Sequence, residues 1–471
     1  MMLRNENKAE SPTEWIAYEL QAVSLGDKRL DWRLLDSAVK LAAAPGASIP
    51  QACDDWADTK ATYRLFDNEK TTAEKIRLPH QLRTKSRLSG HKTVLVVQDT
   101  SYLDYSQQPA KGGMGPIGTS KQTLTGLVMH SALAMTTTGL PLGVLSQVCW
   151  AREEEPKQMT PAARRKVPIE EKESNKWLTA LNQTMPLIPT GTQAVTIGDS
   201  EADLFELFDH VRTLQTDMLI RAGQNRALCT PEVGLLWPVL DRRPIAGHLK
   251  VQVAKQNNQP EREALVSVRY SPVTLKKPQH LPKDIANLAL YAVLVQEEQP
   301  PVGVTPLCWL LLTTVPVLAL ADALARIAWY CLRWQIELYH KVLKSGCRIE
   351  KSQLATTERL FPLLALYSII AWRLCWMTYI ARHDPDAPCT TVLADHEWHA
   401  LYTFIHKTNP SSLHLPTVQQ VILWIATLGG FLARRSDGDP GVTVIWRGWQ
   451  RLTDIAAAWL IFAHRPLVGK G

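Results

Sequence analysis

Residues 330–346 read Tyr-Cys-Leu-Arg-Trp-Gln-Ile-Glu-Leu-Tyr-His-Lys-Val-Leu-Lys-Ser-Gly. Wound as one α-helix at about 100° per residue, this stretch puts Tyr330, Arg333, Glu337 and Lys344 in a strip roughly 60° wide. Leu324, Ile327, Cys331, Leu338 and Val342 gather on a flank at roughly 60° to 120° from Tyr330, and Leu332 and Leu343 widen it. One flank therefore needs a core, while another presents a phenol, two cations and a carboxylate in a row. Gly346 is placed to stop the helix in the left-handed conformation. A carboxylate between two cations suits a metal ion flanked by phosphate oxygens; a plain solvated face needs neither the tyrosine nor the spacing from Glu337 to Lys344.

Two further acids stand at the ends of apolar runs. Thr93-Val-Leu-Val-Val-Gln-Asp99 is β-branched and continuous, which predicts a central strand buried on both faces with Asp99 at its carboxyl end. Ala194-Val-Thr-Ile-Gly-Asp199 repeats the pattern, and a helix from about Ala202 to Arg212 follows it. Strands first and a late acid-bearing helix are the order of an RNase H-like fold. Asp99, Asp199 and Glu337 would then share one pocket. Phosphodiester hydrolysis needs charge neutralised on both the attacking and the leaving oxygen, which two Mg²⁺ ions about 4 Å apart provide, held by oxygen ligands.

Composition agrees with such a role without proving it. The chain has 471 residues, room for two to four domains, and a net charge of +7, a mild lean toward polyanions. Its eight cysteines include no CxxC pair, so a zinc ribbon or disulfide framework is not expected, and reduced thiols in a cytoplasm fit best. The first residues lack the apolar core of a signal peptide. The most apolar run, Phe361 to Trp372, is followed by Arg373 and is expected to be a buried helix, not a membrane span.

Taken in order, residues 12 to about 80 read as helices. Leu30, Leu34, Ala38 and Leu41 keep helical spacing, and Ser48-Ile-Pro-Gln opens a further helix. Lys28, Arg29, Arg33, Lys60, Tyr63 and Arg64 give this region the look of a DNA-docking module. Gly113-Met-Gly-Pro-Ile-Gly118 matches GxGxxG only formally; no helix opens from it, and it reads as a flexible connection. Strands are expected over 124–136, 142–150 and from Met218 to near Arg221, with a charged mobile loop over 151–172. Asp203 reads as a helix-start residue favoured by the dipole, with Glu201 undecided. From about 225 to 312 the chain turns β-rich, with turn clusters such as Gln256-Asn-Asn-Gln-Pro260, and Trp309 sits where this part returns to the core. Helices follow from 357 to 382 and again beyond 391. There Ile445, Trp446, Trp449, Leu452, Ile455 and Trp459 form an apolar stripe that suits either an internal core or a dimer contact.

The spacing of Tyr330, Arg333, Glu337 and Lys344, with Gly303-Val-Thr-Pro-Leu-Cys-Trp-Leu-Leu-Leu-Thr upstream, Glu171-Lys-Glu-Ser-Asn-Lys-Trp177, and Tyr63-Arg-Leu-Phe-Asp-Asn68, resembles the IS4-family DDE transposases, the group that includes Tn5 transposase. Leu30 departs from the basic residue usual there, so a different DNA sequence is expected to be read. The resemblance implies an α/β protein. Its parts are a helical terminal-repeat DNA-binding domain (1–80), an RNase H-like core in two parts (81–224 and 313–385), an inserted β-subdomain (225–312) and a C-terminal helical dimerisation region (386–471). It implies a cut-and-paste transposase acting through a hairpin intermediate. Asp99, Asp199 and Glu337 would hold two Mg²⁺ ions, with Mn²⁺ tolerated. Tyr330, Arg333 and Lys344 would grip phosphates, Trp309 would stack on a flipped base, and Arg221 would contact DNA. Partners would be double-stranded transposon-end and target DNA and a second copy of the chain, with no membrane, in a bacterial cytoplasm at the nucleoid. A DNA-binding protein without transposition would not need three acids. A general RNase H-like nuclease would not need the N-terminal module, the β-rich insert or the C-terminal stripe.

Overall fold

The computed structural model describes residues 14–118, 124–153, 160, 163, 167–229, 233–253, 262–282, 284–410 and 415–463. The turn cluster at 256–260 and part of the stretch 151–172 lie outside the described residues.

The N-terminal region is helical, as its periodicity predicts. Asp27 caps the helix Lys28–Ala43 by accepting from the Arg29 backbone N–H, and Asp55 caps Trp56–Phe66 through Asp58. Leu34, Ala38 and Leu41 are buried beneath the first of these. The two helices are tied by charge: Asp58 accepts from Arg33 at 2.9 Å and from Lys40 at 2.8 Å. A further helix, Ala73–Leu88, leads to the sheet.

The sheet is organised around β1 (Thr93–Asp104), whose Val94, Leu95, Val96 and Val97 are fully buried because helices cover both faces. β3 (Thr125–Thr136) pairs antiparallel with β1 along its whole length, and β4 (Pro141–Trp150) pairs with β3. On the other side β5 (Gln193–Gly198) and β6 (Asp217–Arg221) add in parallel. The order β4-β3-β1-β5-β6, three antiparallel strands and two parallel ones, is RNase H-like. The strand carrying Asp99 is longer than its sequence suggests. It continues to Asp104 because β3 still pairs with it after β5 has ended.

The β-rich insert prolongs the same sheet. β12 (Cys308–Thr313) lies antiparallel to β6, with Leu311 opposite Arg221, and β11 (Leu288–Glu297) and β10 (Arg262–Leu275) follow outward, β10 pairing in turn with β9 (Gly247–Val253) and with the short β7 (Ala227–Leu228), which pairs with β8 (Gly234–Leu235). The glycine-rich stretch 113–118 is not a free connection. Its β2 bridge (Gly115–Pro116) pairs Gly115 with Gly126, and a Cβ on Gly115 would meet the Arg152 carbonyl at 2.0 Å, so only glycine passes there.

The helix Thr357–His383 is apolar around its whole circumference and crosses the centre of the protein. It is long and apolar enough to span a membrane, but 83% of its most apolar window is buried within the chain. Helices Asp395–His406, Val418–Leu428 and Val442–Ala463 complete the C-terminal region. The last two cross at Gly448, where a Cβ would stand 1.7 Å from the Ile425 carbonyl. Ile445, Trp446, Trp449 and Leu452 of the apolar stripe are buried inside the protomer, and the Trp449 indole donates to the Ala42 carbonyl at 3.4 Å. That part of the stripe is internal core; Ile455 and Trp459 are half-buried. All eight cysteines are free.

Candidate active site

Register places the first two acids. β1 and β5 pair with Val97 opposite Ile197, and two residues further along each strand come Asp99 and Asp199. β5 stops at Gly198, so Asp99 stands at the carboxyl end of the parallel pair although its own strand runs on. Asp199 caps the short turn Ser200–Ala202 by accepting from the Glu201 backbone N–H at 2.9 Å.

Glu337 reaches the same place on a helix that is not uniform. Leu320–Cys331 is α-helical, Leu332–Trp334 tightens to a 3₁₀ turn, Gln335–Lys341 is α-helical and Val342–Gly346 widens to a π turn. Tyr330, Arg333 and Glu337 stay neighbours across the 3₁₀ turn, Arg333 acting on the Tyr330 phenol and bonding Glu337, while Lys344, in the π turn, reaches the Tyr102 carbonyl instead. Tyr330 is buried at 6% exposure, Arg333 is half-buried and Glu337 is exposed. The core-facing residues beyond the 3₁₀ turn are Ile336, Tyr339, Val342 and Leu343. Nor is Gly346 left-handed; that conformation belongs to Arg348, at φ 53°. Gly346 instead lets Trp446 pack close, its ring 3.2 Å from where a Cβ would be.

The three carboxylates share an electrostatic environment. Burial drives Asp99 from its ordinary 3.8 up to about 7; Asp199 and Glu337 add to that rise, while Arg333 opposes it. Arg333 also holds Glu337 directly, Nη2 to Oε1 at 2.6 Å. Among the described residues no three His, Cys, Asp or Glu side chains converge on one point.

An aromatic and cationic rim adjoins the acids. Trp309 on β12 meets Tyr330 edge-on, with ring centroids 5.7 Å apart. Burial pushes the Tyr330 phenol up, and Arg333, Arg221 and Asp199 all act on it. Arg221 extends along β12 and donates to the Cys308 carbonyl at 3.4 Å. Trp309, Tyr330, Arg221 and Arg333 therefore stand together beside the acids. Lys344 is further off. Its ammonium donates to the Tyr102 carbonyl at 2.7 Å and lies 3.6 Å from Glu350, tying the π turn to the far end of β1.

Residues with no role foreseen from sequence complete the surroundings. His340 is buried, with Nδ1 3.7 Å from Asp99 Oδ2, and burial pushes it down to about 3, so it is a neutral imidazole. On the other face of β1, His130 bonds Thr100 Oγ1 at 2.9 Å and Gln98 Oε1 at 3.1 Å, bracketing Asp99. Asp203 is no helix-start residue. Its buried carboxylate accepts from the backbone of Gly223 and Gln224, each at 2.8 Å, and from Arg226 Nε at 2.7 Å, fixing the loop after β6. Glu201 pairs with Lys176 at 3.3 Å.

Asp99, Asp199 and Glu337 offer carboxylate oxygens, the donor type that a hard divalent cation takes. Asp99 is a buried carboxylate whose neighbours include two more carboxylates and one guanidinium, a balance that leaves negative charge uncompensated. Of the N-terminal candidates, Arg29 is almost fully exposed beside Asp27, Arg64 is exposed and Tyr63 half-buried. Arg33 is half-buried and pairs with Asp36 at 3.1 Å and Asp58 at 2.9 Å.

Three family models match the chain in succession. Transposase DNA-binding covers residues 12–71, the N-terminal helices. Transposase DDE domain covers 170–373, which includes Asp199, Trp309 and the Glu337 helix. Transposase Tn5 dimerisation domain covers 369–460, the C-terminal helices. DNA binding, divalent-metal dependence and homodimer formation come with these three domains. The chain belongs to the Tn5-like, IS4-family DDE transposases.

Proposed function

We propose that this transposase excises its element by cut and paste through hairpin-ended intermediates, with Asp99, Asp199 and Glu337 as the metal-holding catalytic residues. The single observation that supports this best is the register: Asp99 and Asp199 follow the paired Val97 and Ile197, and both Glu337 and Arg333 act on Asp99. Two Mg²⁺ ions, replaceable by Mn²⁺, would supply Lewis-acid charge at the attacking and leaving oxygens when bound. The residues do the rest. Arg333 grips a DNA phosphate and in doing so releases Glu337, which joins the two aspartates. Tyr330 and Lys344 hold neighbouring phosphates, Lys344 after leaving the Tyr102 carbonyl, and Arg221 adds a cation beside them. Trp309, already edge-on to Tyr330, stacks on a base turned out of the helix near the cut.

The reaction sequence starts with water cutting one strand at the element's end to leave a 3′-hydroxyl. That hydroxyl attacks the opposite strand to close a hairpin, water reopens it, and the freed 3′-hydroxyl joins target DNA. Arg29, Arg33, Tyr63 and Arg64 serve terminal-repeat binding. We assign residues 1–80 to terminal-repeat binding, 81–224 and 313–385 to the catalytic core, 225–312 to the insert and 386–471 to dimerisation. The site of action is the bacterial cytoplasm, on the nucleoid. The test is incubation of the protein with Mg²⁺ and the inverted repeats flanking its own gene. Hairpin-ended excision products are expected; excision with open ends only would refute the hairpin route.

A further inference from the structure

His340 lies one turn beyond Glu337 on the same helix and is 4% exposed. Its ring sits beside Tyr339, at a centroid distance of 5.5 Å. Nδ1 faces Asp99 Oδ2 at 3.7 Å, less than 1 Å beyond hydrogen-bond reach, and Nε2 is buried with no hydrogen-bond partner. A buried imidazole with no bond within reach is a costly way to fill space that leucine or phenylalanine would fill without loss.

His130 behaves differently. Both histidines flank β1 at the level of Asp99, one on each face. His130 uses both ring nitrogens, on the side chains of Thr100 and Gln98, the two neighbours of Asp99 in β1. His340 uses neither, and one of its nitrogens is aimed at the Asp99 carboxylate itself. The side chains on either side of Asp99 are thus tied on one face, while the Asp99 carboxylate faces His340 on the other.

We propose that His340 is a positioning residue for Asp99: when that carboxylate takes up a divalent cation, the His340 Nδ1–H closes onto Oδ2 and fixes which way the other oxygen points. Outer partners of metal-holding side chains act this way in general, orienting the ligand and raising its affinity. The inference rests on the reading of Asp99 as a metal ligand.

The test is Mn²⁺ binding, read by electron paramagnetic resonance, on the protein bound to the inverted repeats flanking its gene with the 3′ ends already cut. Asp99→Ala comes first: if it binds Mn²⁺ as the unaltered protein does, the metal reading of Asp99 fails, whatever His340 does. If it loses Mn²⁺, the His340 variants decide. Asparagine places its amide nitrogen where Nδ1 stands, and glutamine places its own where Nε2 stands. His340→Asn is expected to stay within about threefold of the unaltered protein, while His340→Gln and His340→Leu weaken Mn²⁺ binding by about 10–100-fold. Duplex binding without metal and the melting temperature of the asparagine and glutamine variants should match each other. Equal Mn²⁺ affinity for those two variants would overturn the proposal, and so would glutamine binding better than asparagine.

Discussion

Asp99→Asn should stabilise the metal-free protein, and should do so only above acid pH. Asp99 is 16% exposed, and burial with two neighbouring carboxylates lifts it from 3.8 to about 7. A carboxyl whose folded value is raised is bound by a proton more tightly in the fold than in the unfolded chain. Its contribution is therefore fully present below about pH 4 and is lost as pH climbs to about 7. Three pH units correspond to about 4 kcal/mol of lost stability above pH 7, and to about 1.5 kcal/mol at pH 5. Asparagine keeps the shape and cannot ionise. In EDTA, Asp99→Asn should thus be more stable than the unaltered protein by up to about 4 kcal/mol at pH 8, shrinking to about 1.5 kcal/mol at pH 5. Urea unfolding at both pH values reads this difference directly. Mg²⁺ should then stabilise the unaltered protein more than the variant, because a divalent cation supplies the charge the fold lacks. A variant no more stable than the parent at pH 8, or a gain of the same size at pH 5, would refute the assignment of Asp99 as an uncompensated buried carboxylate.

Glu337→Ala should leave binding to the terminal repeats intact and reduce Mg²⁺-dependent cleavage to background in a denaturing-gel assay; near-normal cutting would remove Glu337 from the site. Trp309→Ala should slow hairpin closure more than first-strand nicking, and equal slowing of both steps would reduce Trp309 to a packing partner of Tyr330. Asp203→Ala removes the buried carboxylate that pairs with Arg226 and accepts from the backbone of Gly223 and Gln224, so it should cost about 3–5 kcal/mol in urea unfolding; a loss under 1 kcal/mol would show that the loop after β6 is held by other contacts.

The parts of this molecule that can be read from sequence are those written locally. A β-branched run closed by an acid marks β1 and β5, and an apolar stripe marks the helix Lys28–Ala43, because strand and helix periodicities are properties of consecutive residues. The hidden parts depend on pairings across the chain. Nothing near Arg33 in sequence shows that it pairs with Asp58 on another helix. Asp203 looks like a helix-start acid until the loop ending at Arg226 folds onto it. The insert looks like a separate unit until Leu311 pairs with Arg221 and joins it to the core sheet. The change of pitch at Leu332–Trp334, between the buried Tyr330 and the exposed Glu337, leaves no compositional mark, since these residues are ordinary helix formers. His340 shows in the sequence only as a residue one turn past an acid on the same helix. Its meaning depends on Asp99 arriving from a distant strand.

The most direct measurement of the central claim is Mn²⁺ anomalous scattering from crystals of the homodimer bound to its pre-cut terminal repeats. Peaks bounded by Asp99, Asp199 and Glu337 are expected, with Arg333 moved from the glutamate to a phosphate. Peaks away from these acids, or Glu337 still paired with Arg333 while Mn²⁺ sits elsewhere, would contradict it.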